Sequence, residues 1–149
     1  MGSQTASALP YPTGTDRVMD GDNAIQALAE ALTPSAWATI PPASGIIVMA
    51  QRPFEYRTHG DGTVEIRGGL QRTGSVDFTT ATIDLGTLPV GARPMGHDAM
   101  IYACASGSAG AVARVVVNSD GRIQGGVSVA NATLYVNNCR FPGGPHNRP

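Results

Sequence analysis

The feature that most constrains the fold is a repeated alternation of apolar and polar residues that begins after residue 44. Residues 54–58 and 63–68 both alternate with a period of two, which places apolar side chains on one face and charged side chains on the other. The residues between them, His59-Gly60-Asp61-Gly62, provide two glycines for a tight turn. This pattern predicts a β-hairpin with one buried face.

Similar segments follow one another at intervals of about 8–12 residues, separated by turns that contain glycine or proline. Gly121, at the end of Asn118-Ser119-Asp120-Gly121, is expected to take the left-handed conformation, and residues 85–94 are expected to form an irregular connection. We predict a mainly β chain: an antiparallel, jelly-roll-like β-sandwich preceded by an extended N-terminal arm and one short α-helix. The predicted strands are 46–50, 54–58, 63–68, 76–83, 99–105, 111–118, 122–129 and 133–136.

The N-terminal residues 1–19 are predicted to form the extended arm. Pro10 and Pro12 fix their own φ angles and restrict the residues before them, so a helix cannot form there. Leu9 and Tyr11 are apolar side chains on this stiff segment, and they gain stability when another surface covers them. We therefore predict that Leu9, Pro10, Tyr11 and Pro12 anchor the chain to another protein. The alternative is a tail without a partner.

Residues 20–33 are predicted to form the short helix. Asp20-Gly21-Asp22 supplies carboxylates that can accept hydrogen bonds from the free N–H groups of the first turn. Ile25, Leu28 and Leu32 follow at spacings of three and four, so they share one face of the helix. Because so short a helix is marginal alone in water, we expect it to pack on its own domain or on copies of itself, and we favour a homotrimer with these three residues at its interface.

Residues 34–43 are predicted to be a linker in which Pro41-Pro42 is a rigid spacer. Trp37 is the only tryptophan and is large enough to close one end of the β domain; we place it at the same trimer interface. The β-sandwich domain is expected to span residues 44–142, and residues 143–149 are expected to form a flexible tail rich in glycine and proline.

The composition limits the classes of partner. Charged residues make up 14% of the 149 residues, well below the roughly 25% of an average soluble domain, which indicates a surface that neighbouring proteins partly cover. The net charge is −1 and the ten basic residues are not clustered, which argues against nucleic-acid binding. The first eight residues lack the pattern of a signal peptide, and no apolar run approaches the ~20 residues that cross a bilayer, so membrane insertion is not expected.

The groups that carry catalysis are not assembled by the sequence. His59 lies in the hairpin turn, His97 lies beside Asp98 in a loop and His146 lies in the tail, and all three are predicted to be exposed to solvent. The sequence contains neither a strained Gly-x-Ser-x-Gly turn nor a convergent set of metal ligands. We therefore expect no enzyme activity, no cofactor and no metal site.

Two pairs of residues leave a choice open. Glu55 and Glu65 are conceivable as a glycosidase pair, but both fall on the polar side of neighbouring hairpin strands, where solvated cross-strand neighbours are expected. Cys104 and Cys139 are predicted to be half-buried strand residues; a disulfide between them is compatible with the sequence, but nothing demands it.

Several stretches resemble proteins of tailed bacteriophages. Residues 9–32, LPYPTGTDRVMDGDNAIQALAEAL, are similar to the N-terminal region of minor tail proteins and other small virion proteins of actinobacterial phages. Residues 54–71, FEYRTHGDGTVEIRGGLQ, resemble the opening hairpin of a phage receptor-binding or fibre-tip β domain. Residues 88–94, LPVGARP, and residues 115–123, VVVNSDGRI, resemble a later connection and a later strand, turn and strand of those domains.

The resemblance implies a β-sandwich-like tip, often homotrimeric, that is displayed on the phage particle. The chain lacks the shaft of a long tail fibre, so capsid decoration and a head fibre stay open beside a role at the tail tip. The leading hypothesis is a non-enzymatic structural protein of the virion, assembled in the host cytoplasm. Its expected partners are further copies of itself, other capsid or tail proteins and a host-surface glycan.

The alternative is a stand-alone carbohydrate-binding module or a depolymerase fragment. Such a protein needs an aromatic platform or a pair of carboxylates in a groove. The candidates for the aromatic platform are Trp37, Tyr56, Tyr102 and Tyr135. Most of them occupy positions that the alternation assigns to the core.

Overall fold

The computed structural model describes residues 3–4, 10–11, 18–95, 99–107 and 111–143, with side chains from residue 23 onward and without that of Asn138. The elements in chain order are β1 (Ser3–Gln4), β2 (Pro10–Tyr11), helix α1 (Val18–Leu32), β3 (Ala38–Thr39), β4 (Ile46–Val48), β5 (Glu55–Thr58), β6 (Thr63–Arg72), β7 (Ile83–Thr87), β8 (Ala99–Ala105), β9 (Val112–Asn118), β10 (Arg122–Val127) and β11 (Thr133–Pro142), with single 3-10 turns at Thr73–Ser75 and Val90–Ala92. Within these residues no helix is long and apolar enough to cross a membrane.

The strands form two antiparallel sheets that pack face to face. In the five-stranded sheet, β6 pairs with β11 along one edge and with β5 and β4 along the other, and β3 adds to β5. The four-stranded sheet has the order β7-β10-β9-β8. β1 and β2 form a separate two-stranded ribbon. The prediction of a mainly β chain with an antiparallel β-sandwich and one helix is confirmed.

The core lies between the two sheets and follows the period-two pattern of the strands. Val64 and Ile66 of β6 are fully buried, and the residues between them, such as Glu65, point to the opposite face of the sheet. Val115 and Val117 of β9 supply the facing layer from the four-stranded sheet. The other fully buried large side chains are Ile40, Phe54, Leu70, Phe78, Leu85, Leu88, Ile123, Leu134 and Phe141.

Gly86 of β7 marks a close approach between the two sheets. A Cβ atom at this position would lie 2.6 Å from Cε1 of Phe54 and 2.8 Å from the carbonyl oxygen of Pro41. Pro42 forms an isolated bridge with Gly86, and Ala43 N donates to the Leu85 oxygen at 2.9 Å. The missing side chain therefore lets the chain before β4 lie against β7.

Residues 34–43, which the sequence suggests are a linker, include strand β3 and the fully buried Ile40. Ile40 N donates to the Phe54 oxygen at 2.9 Å. Nearer the helix, Ser35 N donates to the Thr58 oxygen at 2.8 Å, and Thr58 N donates to Oγ of Ser35 at 2.9 Å. A Cβ at Gly60 would overlap the Ala31 carbonyl oxygen, so the last turn of α1 lies directly on the β5–β6 turn.

Two sequence predictions of elements are wrong. Helix α1 begins at Val18, so Asp20 to Asp22 lie inside the helix and do not precede it as caps. Residues 76–82 form no strand, and β7 runs instead from Ile83 to Thr87, so it spans the end of the predicted strand and the start of the predicted connection. The segment bonds instead at isolated points: Phe78 bridges Asn131, and Thr79 accepts from Val127 N at 2.8 Å. The segment is therefore held at separate points and not by a continuous ladder of hydrogen bonds.

Two predicted turns are confirmed. Gly62 in the first hairpin and Gly121 in the Asp-Gly turn both have positive φ, at 82° and 92°. The Gly121 turn contacts the connection at 88–94, since Leu88 N donates to the Gly121 oxygen at 2.8 Å and Nε of Arg93 donates to the Leu88 oxygen at 3.2 Å. Two of the stretches that carry the resemblance, 88–94 and 115–123, thus pack together.

Candidate functional site

The outer face of the five-stranded sheet carries charged pairs across the β5–β6 hairpin. Glu55 stands opposite Arg67 and Arg57 stands opposite Glu65 in the strand register. Nη2 of Arg67 lies 2.9 Å from Oε2 of Glu55, and Nε of Arg57 lies 2.8 Å from Oε2 of Glu65. The sequence correctly predicts that both glutamates share the polar face, and the structure shows that each is neutralised by an arginine of the facing strand.

Trp37 lies on these arginines. The guanidinium carbon of Arg67 is 3.8 Å from the centre of the indole ring, and that of Arg57 is 4.5 Å from it. Such contacts hold a cation on a ring by attraction to its π face. Trp37, which we expected at a trimer interface, is half-buried on its own chain and belongs to the polar face of the five-stranded sheet.

His59 does not match the prediction of a solvent-exposed turn residue. Its side chain is 10% exposed, and Nε2 lies 2.9 Å from Oε2 of Glu65. Burial raises the pKa of Glu65, but the hydrogen bonds from His59 and Arg57 outweigh burial and lower the pKa below its ordinary value. The turn is short, so the imidazole folds back over the sheet. The general expectation that loop residues are exposed to solvent therefore fails for His59. His97 and His146 lie outside the described residues.

A third arginine, Arg52, lies over an aromatic ring at the end of this face. Met49 N donates to the Gly69 oxygen, and Gly69 N donates to the Arg52 oxygen, both at 2.9 Å, so the loop after β4 crosses β6 at Gly69. A Cβ at Gly69 would lie 2.9 Å from Cβ of Arg52, so glycine permits this crossing. Tyr135 of β11 stands opposite Gly69, and the Arg52 guanidinium lies over its ring at 4.5 Å.

Between Arg52 and Arg67 the surface forms a cleft of about 340 Å³, which we call the Arg52 cleft. Its walls come from the loop after β4, from the middle of β6, and from β11 where the register shifts between Val136 and Cys139. Its lining includes Gln51, Arg52, Arg67, Gly68, Val136 and Asn137. The cleft combines guanidinium and amide groups with apolar wall atoms, which suits the binding of a polar ligand.

The cleft offers binding chemistry. Arg52 and Arg67 provide planar sets of N–H donors, and the side-chain amides of Gln51 and Asn137 both donate and accept hydrogen bonds. Within residues 23–95, 99–107 and 111–143, no group of three or more His, Cys, Asp or Glu side chains is placed to hold a metal ion.

The predicted helix stripe is largely uncovered. Ile25 is 61% exposed and Leu32 is 48% exposed, and Leu28 between them is half-buried. For the predicted anchor, Pro10-Tyr11 is strand β2, which pairs with Ser3–Gln4 and contacts α1. Leu9 and Pro12 lie outside the described residues.

Sequence reasoning missed Arg52 and Asn137 and treated Tyr135 as one of several aromatic candidates. Arg52 follows a short apolar strand and is not part of a recognisable motif. Asn137 lies in a β-bulge that no sequence pattern predicts. The one available signal was the Gly68-Gly69 pair in the middle of a strand, because an interior strand glycine often marks a close approach of backbone.

The fold and the cleft together define a two-sheet β-sandwich with a polar cleft on its five-stranded face. No protein-family model matches the chain, and no curated protein matches it significantly. Among solved structures, the chain is similar in fold to the receptor binding protein (gp15) of Listeria phage PSA, with a TM-score of 0.61 and 19% identity. The similarity covers 85% of this chain and 80% of that one.

Proposed function

We propose that this chain is a non-enzymatic structural protein on the surface of a bacteriophage particle, where its β-sandwich binds the host surface. The observation that carries the proposal is the similarity in fold, over 85% of the chain, to a phage receptor binding protein. The polar Arg52 cleft is consistent with a binding role, as is the resemblance of residues 54–71 to the opening hairpin of such domains.

The finer assignment is a homotrimer held by α1 and attached to the particle through the N-terminal arm. The exposure of Ile25 and Leu32 supports the first part, since two large apolar side chains on one helix face gain stability when copies of the helix cover them. Leu9, Pro10, Tyr11 and Pro12 would attach to capsid or tail proteins. Placement at the tail tip and decoration of the capsid both remain compatible with this arrangement.

The test has two parts. Mass spectrometry of purified particles gives the copy number of the chain, which is high for a decoration protein and low for a protein of the tail tip. Purified protein is then added to host cells before the phage. Presence in the particle and reduced adsorption support the proposal; absence from the particle contradicts it.

A second candidate is a stand-alone carbohydrate-binding module or depolymerase fragment. The observation in its favour is the Arg52 cleft, which this chain forms by itself and which could bind a saccharide without a phage particle. Incubation of the protein with host wall polysaccharide discriminates between the readings. Release of oligosaccharides indicates a depolymerase, and binding without release by a chain that particles lack indicates a free binding module.

A further inference from the structure

We propose that the Arg52 cleft binds an acidic saccharide, and that the Arg52 guanidinium contacts the carboxylate or phosphate of that sugar. The inference deepens the proposed function and rests on it, since it names the site and the chemical class of the host-surface ligand. It is carried by the partners of the arginines and by the composition of the cleft walls.

Arg52 is held in place but has no anion. Among the arginine side chains from residue 23 onward that the structure describes, Arg52 and Arg114 make no hydrogen bond or ion pair, and of these two only Arg52 lies over a ring. The Tyr135 ring holds the guanidinium at this place on the surface, and its N–H donors have no partner among the described residues. A planar fork of this kind matches the two oxygens of a carboxylate or a phosphate.

The charge balance of the cleft favours an anion. Glu55 lies on the same face, but its Oε2 already accepts from Nη2 of Arg67 at 2.9 Å and from Nε at 3.2 Å. Arg52 therefore adds an uncompensated positive charge beside the neutralised Arg67. A neutral sugar would leave that charge to water, while an acidic sugar would pair with it.

The remaining walls suit the rest of a sugar. Gln51 and Asn137 provide amides that can bond to hydroxyl groups, and the exposed ring of Pro53 provides apolar contact. The volume of about 340 Å³ is at the lower end of the range of small-molecule sites, which run from about 300 Å³ upward. One or two sugar residues are therefore expected to occupy the cleft.

Trp37 provides a direct readout. It is the only tryptophan, and its ring lies 3.8 Å from the guanidinium carbon of Arg67, which lines the cleft. Full-length protein is titrated with glucuronic acid, glucose 6-phosphate and glucose, and with acetate and inorganic phosphate alone, while tryptophan fluorescence is recorded. We expect saturable changes with an acidic sugar, weaker binding of glucose and of the free anions, and a loss of affinity at high salt.

The variants assign the effect to one residue. Arg52→Ala is expected to weaken binding of the acidic sugar by about tenfold or more, the usual effect of losing a charge-assisted hydrogen bond, and Arg52→Lys is expected to restore part of it. Arg114→Ala is the matched control, since the Arg114 side chain also has no hydrogen bond or ion pair among the described residues but lies on the other sheet. This variant should bind the acidic sugar with the affinity of the unchanged protein. The better binder of the two acidic sugars distinguishes a carboxylate from a phosphate ligand.

Equal affinities for glucose and the acidic sugars, or equal affinities of Arg52→Ala and Arg114→Ala, would overturn the inference. Inhibition of phage adsorption separates it from the proposed function. If Arg52→Ala still blocks adsorption as well as the unchanged protein, the proposed function stands and the role of the cleft fails. If the acidic sugar binds through Arg52 but the protein is absent from particles, the cleft stands and the proposed function fails.

Discussion

The Sγ atoms of Cys104 and Cys139 lie 3.5 Å apart, although the two residues belong to different sheets. Cys104 is on β8 and Cys139 is on β11, and both are buried as free thiols. The hydrogen bond from Cys139 lowers the pKa of the Cys104 thiol. The same hydrogen bond, together with burial and the negative charge of a Cys104 thiolate, raises the pKa of Cys139. Sequence analysis left this pair open, and the structure brings it together at the edge where the two sheets meet.

Oxidation is therefore expected to join the two sulfurs. Glutathione disulfide would accept attack by the Cys104 thiolate, and Cys139 would then displace the second glutathione thiol, so that two thiols become one disulfide. Intact mass should fall by two hydrogen atoms per chain and recover with dithiothreitol. The cross-link should raise the free energy of unfolding by about 4 kcal/mol, because it closes a loop of 35 residues in the unfolded chain. Cys104→Ser is the control; persistent free thiols in the unchanged protein would contradict the expectation.

Glu65→Gln is expected to change how stability depends on pH. Because the folded-state pKa of Glu65 is lowered, its ionised form stabilises the fold above the ordinary value of 4.5, and that contribution is lost as pH falls through the folded-state value. The variant should lose about 1 kcal/mol near neutral pH, and its deficit should shrink below pH 4.5. Urea unfolding across pH tests this, with the exposed Glu30→Gln as control. A deficit that stays constant with pH would show that the carboxylate charge does not matter.

Gly86→Ala is expected to destabilise the sandwich. The added methyl group would meet Phe54 at 2.6 Å and the Pro41 oxygen at 2.8 Å, and neither the packed ring nor the proline backbone can move freely. We expect a loss of about 1–3 kcal/mol, the usual range for overpacking. Thermal unfolding measures it, with Thr87→Ala at the exposed neighbouring position as control. An unchanged melting temperature would mean that the two sheets are less closely apposed here.

Leu28→Asp is expected to dissociate the proposed trimer. Light scattering of the unchanged protein should give about three times the chain mass of 15.3 kDa, and the variant should give a single chain. Asn23→Asp adds the same charge to the exposed side of the helix and should remain trimeric. A monomer for the unchanged protein would remove the trimer from the proposed function without touching the fold.

Much of the fold could be predicted because the strands obey a local rule. Val64 and Ile66 alternate with Glu65 and Arg67, and the buried and exposed faces follow directly from this order. Residues 76–83 show the limit of that rule. Their side chains alternate equally well, but hydrogen-bond partners from distant segments decide whether a strand forms, and sequence spacing does not reveal those partners.

The candidate site was less accessible to prediction because it depends on which strands become neighbours. Arg52 and Tyr135 are far apart in sequence and meet only because β11 and the loop after β4 both lie against β6. Trp37 was assigned by size alone, and its actual contacts, Arg57 and Arg67, could be found only once β3 was known to extend the hairpin.

The junction between α1 and the hairpin has a mechanical consequence. Only five residues separate the end of the helix at Leu32 from the start of β3 at Ala38, and Ser35 within them is bonded to Thr58 through both its backbone and its hydroxyl. Between residues 18 and 40 the described chain thus contains no flexible linker. A force applied to the helix would be transmitted directly to the hydrogen bonds between β5 and β6. The Arg52 cleft lies on the same sheet and would therefore rotate together with the helix.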